Sequence, residues 1–284
     1  MSAQRSPSAR QRRLAAILRT LRKQAGLTRE QVAEALACSP PTVTRIEAAQ
    51  TTARVSDVAV MLDLYGVKGQ QKESLLQLAR DARKRGWWDK ESHAIPAYFQ
   101  GFVGLEEDAS AVHGYESEYV PGLFQTQEYA RAVLVAEPTP PAEDELAQTL
   151  TIRMKRQERL NAPNPPQVWM VLNEGVIRRQ VGGPEVMRRQ LERLVDLSHE
   201  SHVNIQVLPF DAGAHPAMNG GFRVLKFPKP SDPAVVYIEY WRGGIYLEES
   251  TEVDAYAQLF DHLRARALGF DESRSLITQV AGGM

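Results

Sequence analysis

GLTREQVAEALACSPPTVTRIE, residues 26–47, reads as two short helices separated by a tight break. Gly26 stands where a preceding helix should stop, and Thr28 offers a hydroxyl N-cap with Gln31 three residues on, the reciprocal pair of a capping box. Val32, Ala33 and Leu36 then share one face of a helix of about nine residues. Ala37 and Cys38 fill the break. Ser39 is placed to cap the next helix, with Pro40 at its first position, where the missing N–H costs nothing. Val43 and Ile46 face inward, which leaves Thr42, Thr44 and Arg45 outward. Two short helices joined by a tight turn, the second polar along its exposed face, form the geometry of a helix-turn-helix, which lays its second helix in the major groove of DNA.

Outward from this stretch the chain stays helical. A first helix is predicted from about Arg10 to Gln24, with Leu14, Ile17, Leu18 and Leu21 on one face; a fourth spans about Val55–Tyr65 and a fifth about Gln70–Arg85. The quoted string resembles the lambda-repressor-like, Xre-type helix-turn-helix, whose pattern runs Gly-Leu-Thr-Gln, then Val-Ala or Leu-Ala, then Ser-x-x-x-Val/Ile-x-x-Ile/Leu-Glu. The N-terminal end of the helix after Thr28 presents unpaired N–H groups and a positive dipole, so Thr28 and Arg29 are placed to grip a phosphate. Ser39, Pro40, Pro41, Thr42, Thr44 and Arg45 are the candidates to enter the major groove. Arg45 is the side chain among them able to contact guanine bidentately, worth about 1–3 kcal/mol of discrimination. The resemblance further implies a structural ion pair between Arg22 and Glu47. Arg10, Arg12, Arg13 and Arg54 are expected at phosphates or in water, not at bases.

The departures from the family pattern carry meaning. Members usually have Gln where Arg29 stands, Gly where Ala37 stands and often Lys where Thr42 stands. Ala37 is therefore expected in a left-handed conformation at a cost of about 1 kcal/mol, Thr42 removes a charge, and the two prolines offer apolar surface instead of donors. Limited specificity per half-site, made up by dimerisation, is the expectation.

Charge divides the chain in the same place. Residues 1–90 hold 17 Lys or Arg against 8 Asp or Glu, a net +9, while the remainder holds 17 against 27, a net −10. Clustered cations on one segment point to a polyanion partner or to a solvated basic surface, and the helix-turn-helix pattern favours double-stranded DNA. No run reaches the roughly 18–20 apolar residues of a membrane span, and the N-terminus lacks the hydrophobic region of a secretory signal, so neither membrane nor export is expected. Cys38 is the sole cysteine and cannot form an internal disulfide, which fits a reducing cytoplasm; a cytoplasmic, nucleoid-associated protein is expected. Length divides into about two domains: a helix-turn-helix domain over 1–85, and a regulatory or dimerisation domain over 86–284 with a helical part at 86–162 and an α+β part at 163–284.

In that second domain Trp87 and Trp88 read as packing one domain onto the next. Residues 105–113 look helical, Thr126 caps a helix holding Tyr129, Ala130 and Val133, and residues 136–145 read as a loop. A helix from about Glu145 to Leu160 carries Arg153, Arg156 and Arg159, read as a solvated face. QVWMVL, VNIQVLPF, GFRVLKF, AVVYIEYW and IYLE read as five strands, with Gly243 and Gly244 suited to a tight hairpin between the last two. A helix at about 184–200, entered through GGPE, has Met187, Leu191, Leu194 and Val195 on one face; Thr251 caps another with Val253, Tyr256, Phe260, Leu263 and Ala267 inward; and a short helix follows Asp271. The fold class is α+β overall: an all-α head, a helical segment and a domain with a largely antiparallel sheet.

WWDK, YESEYVPGLFQTQEYARAVL, RMKRQ, VGGPEVMRRQLERL, VNIQVLPFDAGAHP and VVYIE together resemble the actinobacterial regulators in which an Xre-type helix-turn-helix precedes a long domain of unassigned function. The resemblance implies antitoxin-like transcriptional regulators, related to developmental regulators of the WhiJ kind and often paired with a small protein encoded nearby. It assigns no catalytic residues. His199 and His202, His215 beside Asp211, and Glu174 and Glu239 are the residues to weigh for a metal or for catalysis. Zinc needs three or four converging ligands, and the one thiol lies in the helix-turn-helix. No Gly-rich phosphate loop or nucleophile elbow occurs, so no metal, cofactor or catalysis is expected. Two functional classes remain: a sequence-specific DNA-binding transcriptional regulator whose second domain dimerises and receives a partner protein or small effector, and an enzyme or ligand-processing domain tethered to DNA. Trp169, Phe222, Phe227, Tyr237, Tyr240 and Trp241 would line a pocket for an apolar effector or form core.

Overall fold

A computed structural model of the chain describes residues 9–83, 95–228 and 232–284. The chain divides into two compact units between Leu105 and Glu106. The expected boundary at 85/86 and the pair Trp87–Trp88 lie outside the described residues.

The first unit contains α1 (Ala9–Gln24), α2 (Arg29–Ala35), α3 (Pro40–Glu47), α4 (Val55–Leu64) and α5 (Gly69–Ala82). The apolar residues spaced three and four apart in the sequence close one core: Leu14, Leu18, Val32, Val43, Ile46, Val58, Met61, Leu62 and Ala79 are all buried. Each buried leucine contributes about 1.5–3 kcal/mol. Thus α1 packs on α5 and α3, and α2 on α3 and α4. A further helix, α6 (Ala97–Asp108), spans the division between the units.

The second unit contains β1 (Ala111–Glu116), α7 (Gln127–Val135), α8 (Glu143–Gln157), β2 (Gln167–Asn173), α9 (Glu174–Arg178), α10 (Pro184–Leu197), β3 (Val203–Leu208), β4 (Phe222–Lys226), β5 (Val235–Tyr240), β6 (Gly243–Leu247), α11 (Ser250–Arg266) and α12 (Phe270–Gly282). One six-stranded sheet runs β3-β2-β1-β4-β5-β6, and the architecture is α+β. The pairs β1/β2 and β2/β3 are parallel, because helical crossovers return the chain to the same end of the sheet; β1/β4, β4/β5 and β5/β6 are antiparallel.

Several local expectations are corrected. The helix expected at 105–113 ends at Asp108, and the residues after it form β1, the strand between β2 and β4. Its sequence AVHGYE shows few branched residues, and Gly114 is there because a Cβ would lie 2.9 Å from Met170 and from the Phe222 carbonyl oxygen. Neighbours, not propensity, make it a strand. The expected loop at 136–145 gives way to α8 at Glu143, and α8 ends at Gln157 ahead of a 3-10 turn at Glu158–Asn161. Its arginines do not form a solvated face: Arg156 is buried and grips Glu106 through Nε–Oε2 at 2.8 Å and Nη2–Oε1 at 2.9 Å, Arg153 donates to Gln125 Oε1 at 2.5 Å, and Arg159 donates to the Glu107 carbonyl at 3.2 Å. The hairpin turn is Trp241–Arg242, and Gly243 and Gly244 open β6 where the rings of Tyr240 and Tyr237 lie against them. Glu249, not Thr251, is the N-cap of α11, and the final helix is 13 residues long.

On one face of the sheet α11 covers Tyr115, Val171, Phe222, Val224 and Val236 with Phe260 and Leu263. The six aromatics weighed for a pocket do not share one environment: Phe222 and Tyr237 are buried, Trp169 and Phe227 half-buried, Tyr240 and Trp241 exposed. His113 stacks on Phe260 with ring centroids 5.0 Å apart. Burial pushes its pKa down to about 4, and the charges of Lys226 and Arg264 add to the effect. The unfolded chain therefore takes up a proton near pH 6.5 that the folded chain refuses until about pH 4, so stability falls as pH drops through that window. Urea unfolding at stepped pH should show this slope in the native protein and a flatter one in His113→Phe; equal slopes would remove His113 as its source.

Candidate nucleic-acid interface

The helix-turn-helix is built from local bonds first. Thr28 Oγ1 accepts from the Gln31 N–H at 3.3 Å and Gln31 Oε1 accepts from the Thr28 N–H at 2.9 Å, so the capping box that starts α2 is closed. At its other end the Ala37 N–H donates to the Glu34 carbonyl and the Cys38 N–H to the Ala33 carbonyl, with Ala37 left-handed at φ 49°. Ala49, just past α3, is left-handed as well, at φ 56°. Nothing in the sequence pattern flagged Ala49, since alanine is not among the residues that favour that conformation. A left-handed alanine thus stands on either side of α3, each at a cost of about 1–2 kcal/mol.

Ser39 occupies the N-cap position of α3 but makes no side-chain bond to the helix backbone. Its hydroxyl lies 3.0 Å from that of Thr42, which also accepts from Arg45 Nη2 at 3.4 Å. Ser39, Thr42 and Arg45 therefore form one row along α3, with Ser39 and Arg45 exposed and Thr42 half-buried. Pro40, Pro41 and Thr44 are exposed beside it, and Thr44 Oγ1 turns back to the Pro40 carbonyl at 3.3 Å. Thr28 is exposed at the start of α2.

Beneath this surface Glu47, the last residue of α3, is held by two cations. Arg22 of α1 reaches it through Nε–Oε1 at 2.6 Å and Nη2–Oε2 at 3.1 Å, and also donates to the Leu27 carbonyl at 2.7 Å. Arg29 of α2 adds Nε–Oε2 at 3.1 Å. The Glu47 side chain is 1% exposed. Burial works against its charge, yet the hydrogen bonds from Arg22 and Arg29 hold its pKa below the ordinary carboxylate value. The Tyr65 phenol is pushed up by burial and then by the Glu47 charge. Arg29, expected at a phosphate, is thereby committed at Nε to Glu47 while its side chain stays 40% exposed. The sequence held a signal for this contact, since Arg29 departs from the usual Gln. Arg54 is exposed at the N-cap of α4 and Arg10 is exposed on α1, whereas Arg12 and Arg13 are half-buried.

Elsewhere, His215 Nε2 lies 3.3 Å from the Tyr115 hydroxyl, and Glu174 Oε2 accepts from the Phe210 N–H at 2.7 Å. Among the described residues no group of three or more His, Cys, Asp or Glu converges to hold a metal ion, and no helix is long and apolar enough to cross a membrane.

Fold and interface together define a helix-turn-helix head followed by an α+β body. Residues 13–75 match a helix-turn-helix domain, and residues 99–279, more than half of the chain, match the domain of unknown function DUF5753; the chain belongs to that family. No curated protein and no solved structure matches it significantly.

Because Glu47 is charged in the fold at a depressed pKa, its contribution is present above the ordinary carboxylate value near 4.5 and is lost as pH falls through the folded value. Glu47→Gln should cost about 3–5 kcal/mol at neutral pH by leaving two cations without their anion, and should weaken the acid dependence, both read by denaturant unfolding; a cost under about 1 kcal/mol would contradict the clamp. Ala37→Gly should leave stability unchanged or raise it by up to about 1 kcal/mol, since the relieved strain outweighs the added freedom of the unfolded chain; a drop of that size would show that Ala37 is not strained.

Proposed function

We propose that the chain is a sequence-specific DNA-binding transcriptional regulator of the Xre type, dimeric and cytoplasmic, whose acidic body receives a partner protein or a small effector in the manner of antitoxin-like regulators. The observation that carries this reading is the clamp of Arg22 and Arg29 on Glu47, which fixes α3 with Ser39, Thr42 and Arg45 in one outward row. A recognition helix has to be held at a set angle to reach base edges, and a bidentate buried pair supplies that angle. Arg45 then reads guanine, Thr28 and the start of α2 lie against a phosphate, and the net charge of +9 over residues 1–90 supplies the salt-sensitive part of the affinity. With two prolines and a threonine where donors often stand, each head reads few bases. Two heads spaced one turn of DNA, about 34 Å, restore specificity. An effector or partner shifts DNA affinity only by binding the DNA-competent and incompetent states unequally. The body acts here as a binding domain, not as an enzyme.

The test is gel-shift titration of the full chain, at several salt concentrations, on a duplex that it selects from a random pool and on a scrambled duplex. Arg45→Ala should lose roughly 5- to 150-fold in affinity for the selected duplex, the equivalent of about 1–3 kcal/mol, and keep its affinity for the scrambled one. Sequence preference that survives Arg45→Ala would overturn the assignment of the reading residue. Sedimentation of the complex should give two chains per duplex, and one chain per duplex would overturn the dimer.

A further inference from the structure

The sheet of the second unit ends in two different edges. At β3 the chain closes its own edge: the Leu268 N–H donates to the Val207 carbonyl at 2.9 Å, and the Val207 N–H donates to Ser273 Oγ at 3.0 Å. At the other end β6 is the outermost strand, with β5 as its one strand neighbour among the described residues. An outer strand is ordinarily blunted by an inward charge, a proline or a bulge. The strand GGIYL of β6 has none of these, and its ladder to β5 is unbroken from Val236↔Leu247 to Tyr240↔Gly243. The same hairpin carries an apolar patch, with Tyr240 57%, Trp241 67% and Ile245 48% exposed. Trp241 is held in it by Nε1, which donates to Glu137 Oε2 at 2.8 Å.

The hairpin register decides which backbone groups of β6 look outward. Trp241 and Arg242 are the whole loop, so the closing pair Tyr240/Gly243 is of the hydrogen-bonded kind, and so are Ile238/Ile245 and Val236/Leu247. Gly244 and Tyr246 therefore turn their N–H and C=O away from β5. Exposed residues of opposite charge flank the strand, Arg242 before it and Glu248 after it. A strand of this kind is complementary to its own reverse. In the antiparallel register centred on Ile245, Gly244 meets the second copy's Tyr246, and Arg242 meets the second copy's Glu248 at both ends. Centring on Gly244 would instead set Arg242 against Tyr246, and centring on Tyr246 would set Glu248 against Gly244. Opposite charges facing each other across a ladder are favourable, so the register on Ile245 is selected.

We propose that two copies of this chain pair through β6, antiparallel about a twofold axis at Ile245, joining two six-stranded sheets edge to edge. Ile245 then faces its own copy in a non-hydrogen-bonded pair, where Cα atoms lie about 4.5 Å apart and side chains are closest. The two isoleucines cover each other at the centre, and the two Arg242–Glu248 pairs close the ends. This contact rests on the dimeric reading proposed above and gives it a place in the fold. Its test contains no DNA, so the contact, the dimer and DNA affinity fail separately.

The experiment is sedimentation equilibrium of the full chain at micromolar to submillimolar concentration, with circular dichroism to show that each variant folds. The native chain should form dimers. Arg242→Glu should raise the dimer dissociation constant about 5- to 30-fold, since two attractive pairs become repulsive, and Glu248→Arg should act in the same direction. The two changes together should restore it to within about threefold of the native value, a rescue that loss of folding would not give. In a Cys38→Ser chain, which removes the sole native cysteine, Ile245→Cys should cross-link two chains on oxidation, since the facing Cα distance suits a disulfide. Met218→Cys, at a site 70% exposed on another loop, should not. A native dimer that Arg242→Glu leaves intact, or that Ile245→Cys does not cross-link, overturns the β6 contact and leaves the dimer standing. A chain that stays monomeric throughout overturns both.

Discussion

One buried carboxylate organises the head of this protein. Glu47 is 1% exposed, and removing a carboxylate from water costs several kcal/mol unless its oxygens are fully engaged. Here both oxygens are engaged, by Arg22 from α1 and Arg29 from α2, while Arg22 also ties down the Leu27 carbonyl in the turn between those helices. Val43 and Ile46 fix which face of α3 is buried in the core, and the bidentate pair adds a directional constraint at the helix end. Three helices are thereby set relative to one another by a single side chain at the end of the third, and the outward row of Ser39, Thr42 and Arg45 inherits its direction from that constraint.

The same physics appears in the body. Arg156 with Glu106 and Arg223 with Glu116 are buried pairs, and each joins segments distant in the chain: α8 to the end of α6, and β4 to β1. Such pairs are weak contributors to net stability and strict ones to register, because breaking either leaves a desolvated charge. They also draw cations and carboxylates of the acidic half inward, so its net charge of −10 understates how much of its chemistry lies inside. The strongly basic segment keeps most of its arginines on α1, at the N-terminus of α2 and on α3, the last two being the elements assigned to DNA in the proposed reading.

How far the sequence spoke for itself depended on the range of the interaction. The capping box of Thr28 and Gln31 and the core stripe of α2 were legible, because each is decided within four residues. The strand at Ala111–Glu116 was not: its Gly114 makes sense only against Met170 and Phe222, which lie far along the chain. The arginines of α8 read as a solvated face because three-residue spacing looks the same whether the acceptors are water or Glu106 and Gln125. The pair Gly243–Gly244 was legible as a hairpin feature and misplaced by two residues, since the glycines serve the rings of Tyr240 and Tyr237 and not the turn. Within the interface, the left-handed Ala37 followed from its departure from a glycine pattern, and Arg29 stood out from the usual Gln although its bond to Glu47, like the left-handed Ala49, depends on packing that no local pattern shows.

The central claim, that the Glu47 clamp presents α3 to the major groove, is tested most directly by where the protein touches the duplex. Dimethyl sulfate footprinting of the full chain on a duplex it selects from a random pool reads guanine N7, a major-groove atom. The account predicts protection of guanine N7 in two clusters one helical turn apart. Binding without any N7 protection, or protection confined to minor-groove positions of adenine, would contradict it.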